Sequence, residues 1–186
     1  MFINDEAPSL ESWWNAKYNS DHIKAPLNSE FYSRVFELLL RLKANFMWPA
    51  MWASWPKPGN IFFTDDQYNQ KLADDYGIVV STSHHEPMQR ATNEWLSSDR
   101  GDWDWVNNRA NVSDFMENGV TRAVDFETYF TIGMRGSSDA TIEGGDPINI
   151  IRDVFEAQRE IFKRHKGSET AVKRKRFSAK LSIIVY

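Results

Sequence analysis

Four short segments concentrate the side chains able to do acid–base, ionic or stacking chemistry. They are Asn4-Asp5-Glu6, Trp48-Pro49-Ala50-Met51-Trp52, Ser83-His84-His85-Glu86-Pro87-Met88 and Arg135-Gly136-Ser137-Ser138-Asp139. Asp5 and Glu6, with Asn4 beside them, can hold hydroxyl groups or assist proton transfer; they equally suit the turn and cap chemistry of Asp-rich segments. His84-His85-Glu86 invites a metal reading, but lacks the i,i+4 histidine spacing of a helical zinc site. Hydrogen bonding to a polar substrate fits this triplet better, because imidazole both donates and accepts. Arg135 suits an anionic group, since its planar fork matches a carboxylate bidentately. An internal ion pair with Asp5, Glu86 or Asp139 is its alternative. Asp139 can act on a water or orient a ring, or simply close an Asx turn before Ala140.

The elements that must position these segments follow from hydrophobic period and punctuation. Phe2-Ile3 reads as the end of a short strand. Asn28 or Ser29 caps a helix from about Glu30 to Ala44, with Phe31, Val35, Leu38, Leu39 and Leu42 on its apolar face. Asn45 to Trp48 is a buried strand stopped by Pro49. A second helix, about Asp66 to Tyr76, ends at Gly77 as a left-handed cap, and Ile78 to Thr82 is the next strand. The pattern recurs: a helix over about Arg109 to Val124 with Phe115, Val120 and Val124 as core, then a strand over Tyr129 to Met134. Asp146 and Pro147 open a long helix to about Lys166, with Ile148, Ile151, Phe155 and Phe162 as its stripe.

Alternating βα units with continuous apolar strands predict an α/β fold with a parallel sheet covered by helices. Two closures satisfy that order, a doubly wound sheet and a (β/α)8 TIM-type barrel. A complete barrel takes about 250 residues, so four units within residues 1–167 make an incomplete barrel, about its first half. No glycine-rich phosphate loop follows the first strand, which disfavours a nucleotide-binding enzyme. In either architecture function belongs to the loops at the carboxyl ends of the strands, where the four segments fall.

Composition narrows the classes further. The net charge of −4 disfavours a general nucleic-acid binder, and no apolar run approaches the roughly 18 residues of a membrane span. The opening MFINDEAP has none of the features of a signal peptide. With no cysteine, disulfides, thiolate zinc sites and cysteine nucleophiles are excluded. Eight Trp residues within 14% aromatics serve packing or a platform for sugar rings. The cluster Lys173-Arg174-Lys175-Arg176 reads as a solvated basic patch rather than an address or a phosphate site.

Seven of these stretches carry a family resemblance: FINDEAP from Phe2, Phe31-Tyr32, VFELLLRLKAN from Val35, WPAMW from Trp48, ADDYGI from Ala73, TSHHEPM from Thr82 and TIGMRG from Thr131. Together, from Phe2 to about Gly167, they resemble glycoside hydrolase family 115, the xylan α-1,2-glucuronidases that remove glucuronic acid or its 4-O-methyl form from side branches. The resemblance implies a (β/α)8 catalytic domain, inversion at the anomeric carbon, and neither metal nor cofactor. It also implies glucuronoxylan or aldouronic oligosaccharides as substrate, extracellular action, and homodimers among full-length relatives. Position by position, it implies that Asp5, Arg135 and Asp139 lie in the pocket, with Asp139 and Asp5 as the catalytic carboxylates. Asn4, Glu6, His84, His85 and Glu86 line the pocket, and Trp48 and Trp52 form its wall.

The sequence departs from the family after the fourth helix. Relatives continue into a fifth strand bearing a glutamate, the expected general acid, whereas residues 168–186 form a divergent basic tail, read here as read-through, with no acid after Glu169. General acid catalysis contributes about 10²–10⁴-fold, so the expectation is a fragment inactive alone. A carbohydrate-binding remnant that keeps the pocket without catalysis is the alternative.

Overall fold

The computed structural model describes residues 1–4, 6–18, 27–52, 60–137 and 140–166. Asp5, Ser138, Asp139 and the tail 168–186, with its expected strand at 181–186, lie outside the described residues. The fold is α/β and mostly helical. Its contacts divide it into two compact units, Met1–Ser81 and Thr82–Tyr186.

In the first unit, strands β1 (Phe46–Met47) and β2 (Val79–Val80) pair in parallel, Phe46 opposite Val79 and Met47 opposite Val80. Phe2 forms a parallel bridge to Trp48 on the other side, secured by Ile3 N donating to Trp48 O at 3.0 Å and Trp48 N to Met1 O at 2.9 Å. Three parallel segments therefore lie in chain order, shorter than the sequence predicts. Two short helices not foreseen, α1 (Glu11–Tyr18) and α3 (Phe62–Asp65), accompany the expected α2 (Ser29–Arg41) and α4 (Asn69–Tyr76).

Helix α2 starts where predicted because Asn28 Oδ1 accepts from Glu30 N at 3.1 Å and Phe31 N at 3.3 Å. Asn28→Ala is expected to cost about 1 kcal/mol in urea unfolding, the usual value of such a cap; no change would mean the cap is not formed. The buried face of α2 is Phe31, Tyr32, Val35, Phe36 and Leu39. Leu38 and Leu42, expected in the core, are exposed at 49% and 67%. The helix ends at Arg41 and Lys43 turns left-handed at φ 59°, which takes Leu42 off the stripe. The expected helix start at Asp66 is corrected too. Asp66 instead accepts backbone N–H bonds from Ser29 and Tyr68, each at 2.9 Å, and so separates α3 from α4. Gly77 at φ 70° is the left-handed cap foreseen.

The second unit packs α6 (Trp105–Ala123) against α7 (Pro147–Lys166), with the short α5 (Thr92–Leu96) beside them. Asp104 caps α6 by accepting from Val106 N at 2.8 Å and Asn107 N at 3.1 Å, so the helix begins one turn before the predicted Arg109. Its core face includes Phe115, Met116 and Val120; from α7 come Ile150, Val154, Ile161 and Phe162, while Ile148 is exposed at 69%. Glu117 ties the helices together through Arg164 at 2.6 Å and His165 at 2.7 Å. The Arg164 hydrogen bond holds the Glu117 carboxyl below its ordinary range. Its stabilisation is therefore present above the ordinary carboxylate pKa and lost as pH falls through the lowered folded value. The melting temperature of the wild type should exceed that of Glu117→Gln at pH 6, and the difference should vanish in strong acid.

The predicted strand Tyr129–Met134 forms no named strand among the described residues and bends at Gly133, where φ is 99°. Side chains satisfy much of its backbone instead. Gln89 Nε2 donates to Tyr129 O at 3.0 Å. Gln158, fully buried on α7, accepts from Gly133 N and donates to Gly133 O, both at 2.8 Å.

Candidate functional site

Among the sequence-predicted residues, Trp48 and Trp52 come together in the first unit. Phe2 packs edge-on to both, with ring centroids 5.3 Å apart in each case. Trp48 Nε1 is buried and has no hydrogen-bond partner among the described residues. Asn4 is exposed just after the bridge at Phe2, and Glu6 opens the turn Glu6–Leu10 that leads into α1.

In the second unit the residues after Ser81 form a tight polar turn. The His84 and His85 rings meet at 4.2 Å and 64°. Glu86 is buried, and its carboxylate accepts from Ser83 Oγ at 2.5 Å and Thr92 Oγ1 at 3.4 Å. Its carbonyl accepts from Thr82 Oγ1 at 2.6 Å. Immediately afterwards Met88 (φ 59°) and Gln89 (φ 60°) are both left-handed, fully buried and not glycine. Such a pair is strained and persists only where its surroundings over-determine it, most often at functional sites. Here Met88 N donates to Thr131 O at 2.9 Å, and Arg122 Nη2 donates to Gln89 O at 2.5 Å. Helix α6 also presses against Met88 O at Gly119, where a Cβ would lie 2.1 Å from that oxygen.

Behind this turn Arg90 pairs with Glu94 at 2.8 Å and lies over the Phe115 ring at 4.2 Å. Burial pushes its guanidinium down to about 10, so it stays charged at neutral pH. Glu94 also takes Arg122 at 2.9 Å. Trp95, Trp103 and Phe115 pack edge to face on one another, with centroids at 5.0, 5.1 and 5.9 Å.

Arg135 lies in the wall of a cavity of about 360 Å³, with Asp102, Trp103, Asp104, Gly136 and Thr141 among its neighbours there. Trp103 Nε1 donates to Arg135 O at 3.0 Å and fixes the Arg135 backbone. A second cavity of about 210 Å³ has His85, Arg90, Thr92, Trp95, Trp103 and Ser137 in its wall. Asp102, Trp103, Gly136 and Ser137 border both. The structure thus sets Arg135 on one cavity and His85 on the next. Segment 100–102 is held there by Asn108, which leaves helical geometry (φ −132°) to donate to Arg100 O at 2.7 Å and Asp102 O at 2.8 Å.

Sequence reasoning passed over Trp103, Asp102, Arg90 and Trp95. The alternation of acids and indoles in Asp102-Trp103-Asp104-Trp105 was the available signal. Among the described residues no three His, Asp or Glu gather as metal ligands, and no helix is long and apolar enough to cross a membrane.

Polar-rimmed cavities with aromatic and guanidinium walls, carried on loops of an α/β scaffold, are the kind of site that grips a small polar ligand such as a sugar. The comparisons with known proteins give that class a family. The profile described as Glycosyl hydrolase family 115 matches residues 1–179, and the chain belongs to that family of glycoside hydrolases. It is similar to the solved structure of BtGH115A, described as a family GH115 4-O-methyl-α-glucuronidase with specificity for decorated arabinogalactans. The identity is 35% and the TM-score 0.78, over 88% of this chain and 22% of that one. The chain therefore spans about a fifth of the length of that relative. No curated protein matches it.

Proposed function

We propose that this chain carries the uronate-recognition part of an inverting α-glucuronidase that releases glucuronic acid or its 4-O-methyl form from plant polysaccharide branches outside the cell. The observation that carries the reading is Arg135 in the wall of the larger cavity, its backbone held by Trp103, in a chain of this family. A uronic acid differs from a neutral sugar by a carboxylate, and a guanidinium is the side chain that reads that difference.

Three further parts belong to the proposal. The chain-order parallel arrangement of Phe2, β1 and β2 supports the first units of a (β/α)8 barrel over a doubly wound sheet, whose strand order reverses. Asp139 activates or orients the attacking water, and Asp5 is the second carboxylate of the chain's own set; inversion separates the acting pair by about 6.5–9.5 Å to admit that water. The general acid is expected on a strand of the family outside this sequence. Glucuronoxylan is the substrate that the sequence motifs favour. Arabinogalactan is the second reading, favoured by what is described for BtGH115A.

Calorimetric titration of the purified chain with glucuronic acid and with glucose tests this. Glucuronic acid should bind and glucose should not. Arg135→Ala should weaken binding about 10- to 100-fold, the value of a charge-assisted pair, and Arg135→Lys should recover part of it. Equal affinity in Arg135→Ala would remove the proposal's basis.

A further inference from the structure

We propose that the outer side of helix α1, in the first unit, is a second polysaccharide-binding site, a platform on which Trp13 stacks a uronic acid ring and Lys17 takes its carboxylate. The inference rests on the reading of the substrate as a uronate-bearing polysaccharide, and not on Arg135.

The two sides of α1 differ in kind. Inward, Glu11 and Trp14 are buried. Asn60 Nδ2 donates to the Glu11 carboxylate at 3.2 Å, and Trp14 packs on Phe31 and Tyr18, with ring centroids at 5.2 and 4.0 Å. These contacts fix the helix on the core of the first unit, so its outer side is ordered before any ligand arrives. Outward, Trp13 is 53% exposed. Burying an indole is among the larger gains open to a folding chain, and here about half of it is forgone. The neighbours Ser12 and Ala16 are exposed as well, and both are too short to cover the ring.

Charge then selects the ligand. Residues four apart on a helix stand side by side, about 5–6 Å between Cβ atoms, so Lys17 lies next to Trp13. Lys17 is exposed and makes no ion pair among the described residues; its ammonium lies 5.9 Å from the Tyr18 ring centroid. Arg34 of α2 brings a second positive charge to the same ring, its guanidinium 4.6 Å from the centroid. Its pairing with Glu30, at 3.3 Å, is exposed and offsets little of that charge. A uronic ring matches both features, with an apolar C–H face for the indole and a carboxylate at its edge for the ammonium. A neutral sugar would leave the cations unused, and an acidic peptide would leave the indole unused. Branches repeated along one polymer let a weak single contact add to binding elsewhere on the chain.

Native electrophoresis through gels containing glucuronoxylan, or the same polymer with its carboxyl groups reduced to alcohols, reads this platform apart from Arg135. The Arg135→Ala chain should be retarded by glucuronoxylan and much less by the reduced polymer. Adding Trp13→Ala should raise the apparent Kd about 10-fold, and Trp13→Tyr should recover part of the loss. Lys17→Ala should raise it about 3- to 5-fold at low salt and less at high salt. Both positions are exposed, so the melting temperature and the mass in solution should stay those of the parent. An Arg135→Ala chain that runs unretarded refutes the platform, as does retention of full affinity in Trp13→Ala or equal retardation by the two polymers. A change of mass in solution on Trp13→Ala would give this face to a second copy of the chain and refute the platform too. If the wild type fails to bind glucuronic acid while Arg135→Ala is still retarded by glucuronoxylan alone, the role of Arg135 falls and the platform stands.

Discussion

Gly136→Ala is expected to abolish measurable glucuronic acid binding while leaving most of the fold intact. A Cβ at this position would lie 2.2 Å from Thr141 O, 2.9 Å from Thr141 C and 3.1 Å from Ala140 O. All three are backbone atoms, so the clash cannot be relieved by swinging a side chain away. Gly136 N also donates to Ala140 O at 3.0 Å, which closes the loop against the chain it would collide with. Relief must come from moving residues 140–142 or the peptide of Arg135, and both belong to the larger cavity's wall. Misplacement of about 1 Å in a positioning group can cost about 100-fold. Gly77→Ala is the matched control. Its φ of 70° disfavours any side chain, yet nothing lies within 4 Å of a Cβ there, so it should lower stability by about 1 kcal/mol and leave affinity alone. Retained affinity in Gly136→Ala would show that the loop does not shape the site.

How much of this was legible in the sequence depends on what each element needs. Helices α2 and α7 declare themselves because cap, stripe and stop are all local: Asn28 before α2, Asp146-Pro147 opening α7. Which leucines of α2 are buried was not legible, because the run of three at 38–40 fits more than one face and only tertiary packing chooses. Strand length was overestimated for a related reason. Apolar runs report burial, and residues 129–134 are buried in part without a ladder, since distant side chains serve their backbone. For the site, residue types near the strand ends put His85 and Arg135 in one expected pocket, and the structure sets them on two bordering cavities. The same reasoning placed Glu86 beside them, and its carboxylate is buried and accepts from Ser83 and Thr92. Trp103 escaped notice because its task, a hydrogen bond to Arg135 O across 32 positions, leaves no local pattern.

Gln158→Leu should produce the largest loss of stability among the substitutions considered, about 2–5 kcal/mol by urea unfolding. In sequence Gln158 is a polar residue set into the apolar stripe of α7, flanked by Val154 and Ile161, where Leu would be the ordinary choice. Leu is close in volume, so packing is largely kept and the polar loss is isolated. What is removed is a two-point amide clamp: Gly133 N loses its acceptor and Gly133 O its donor, each now at 2.8 Å. A buried backbone group left unpaired costs about 1–3 kcal/mol, and here there are two, both partly buried. Gln158→Glu separates the two bonds, because a carboxylate still accepts from Gly133 N but opposes Gly133 O and adds a buried charge; it should be no better than Leu. Since Gly133 lies two residues before Arg135, both variants should also weaken glucuronic acid binding, even where enough folded protein remains to measure it. A neutral Gln158→Leu would mean that residues 129–134 find their hydrogen bonds elsewhere, and that a strand ladder, not this side chain, holds Arg135 in place.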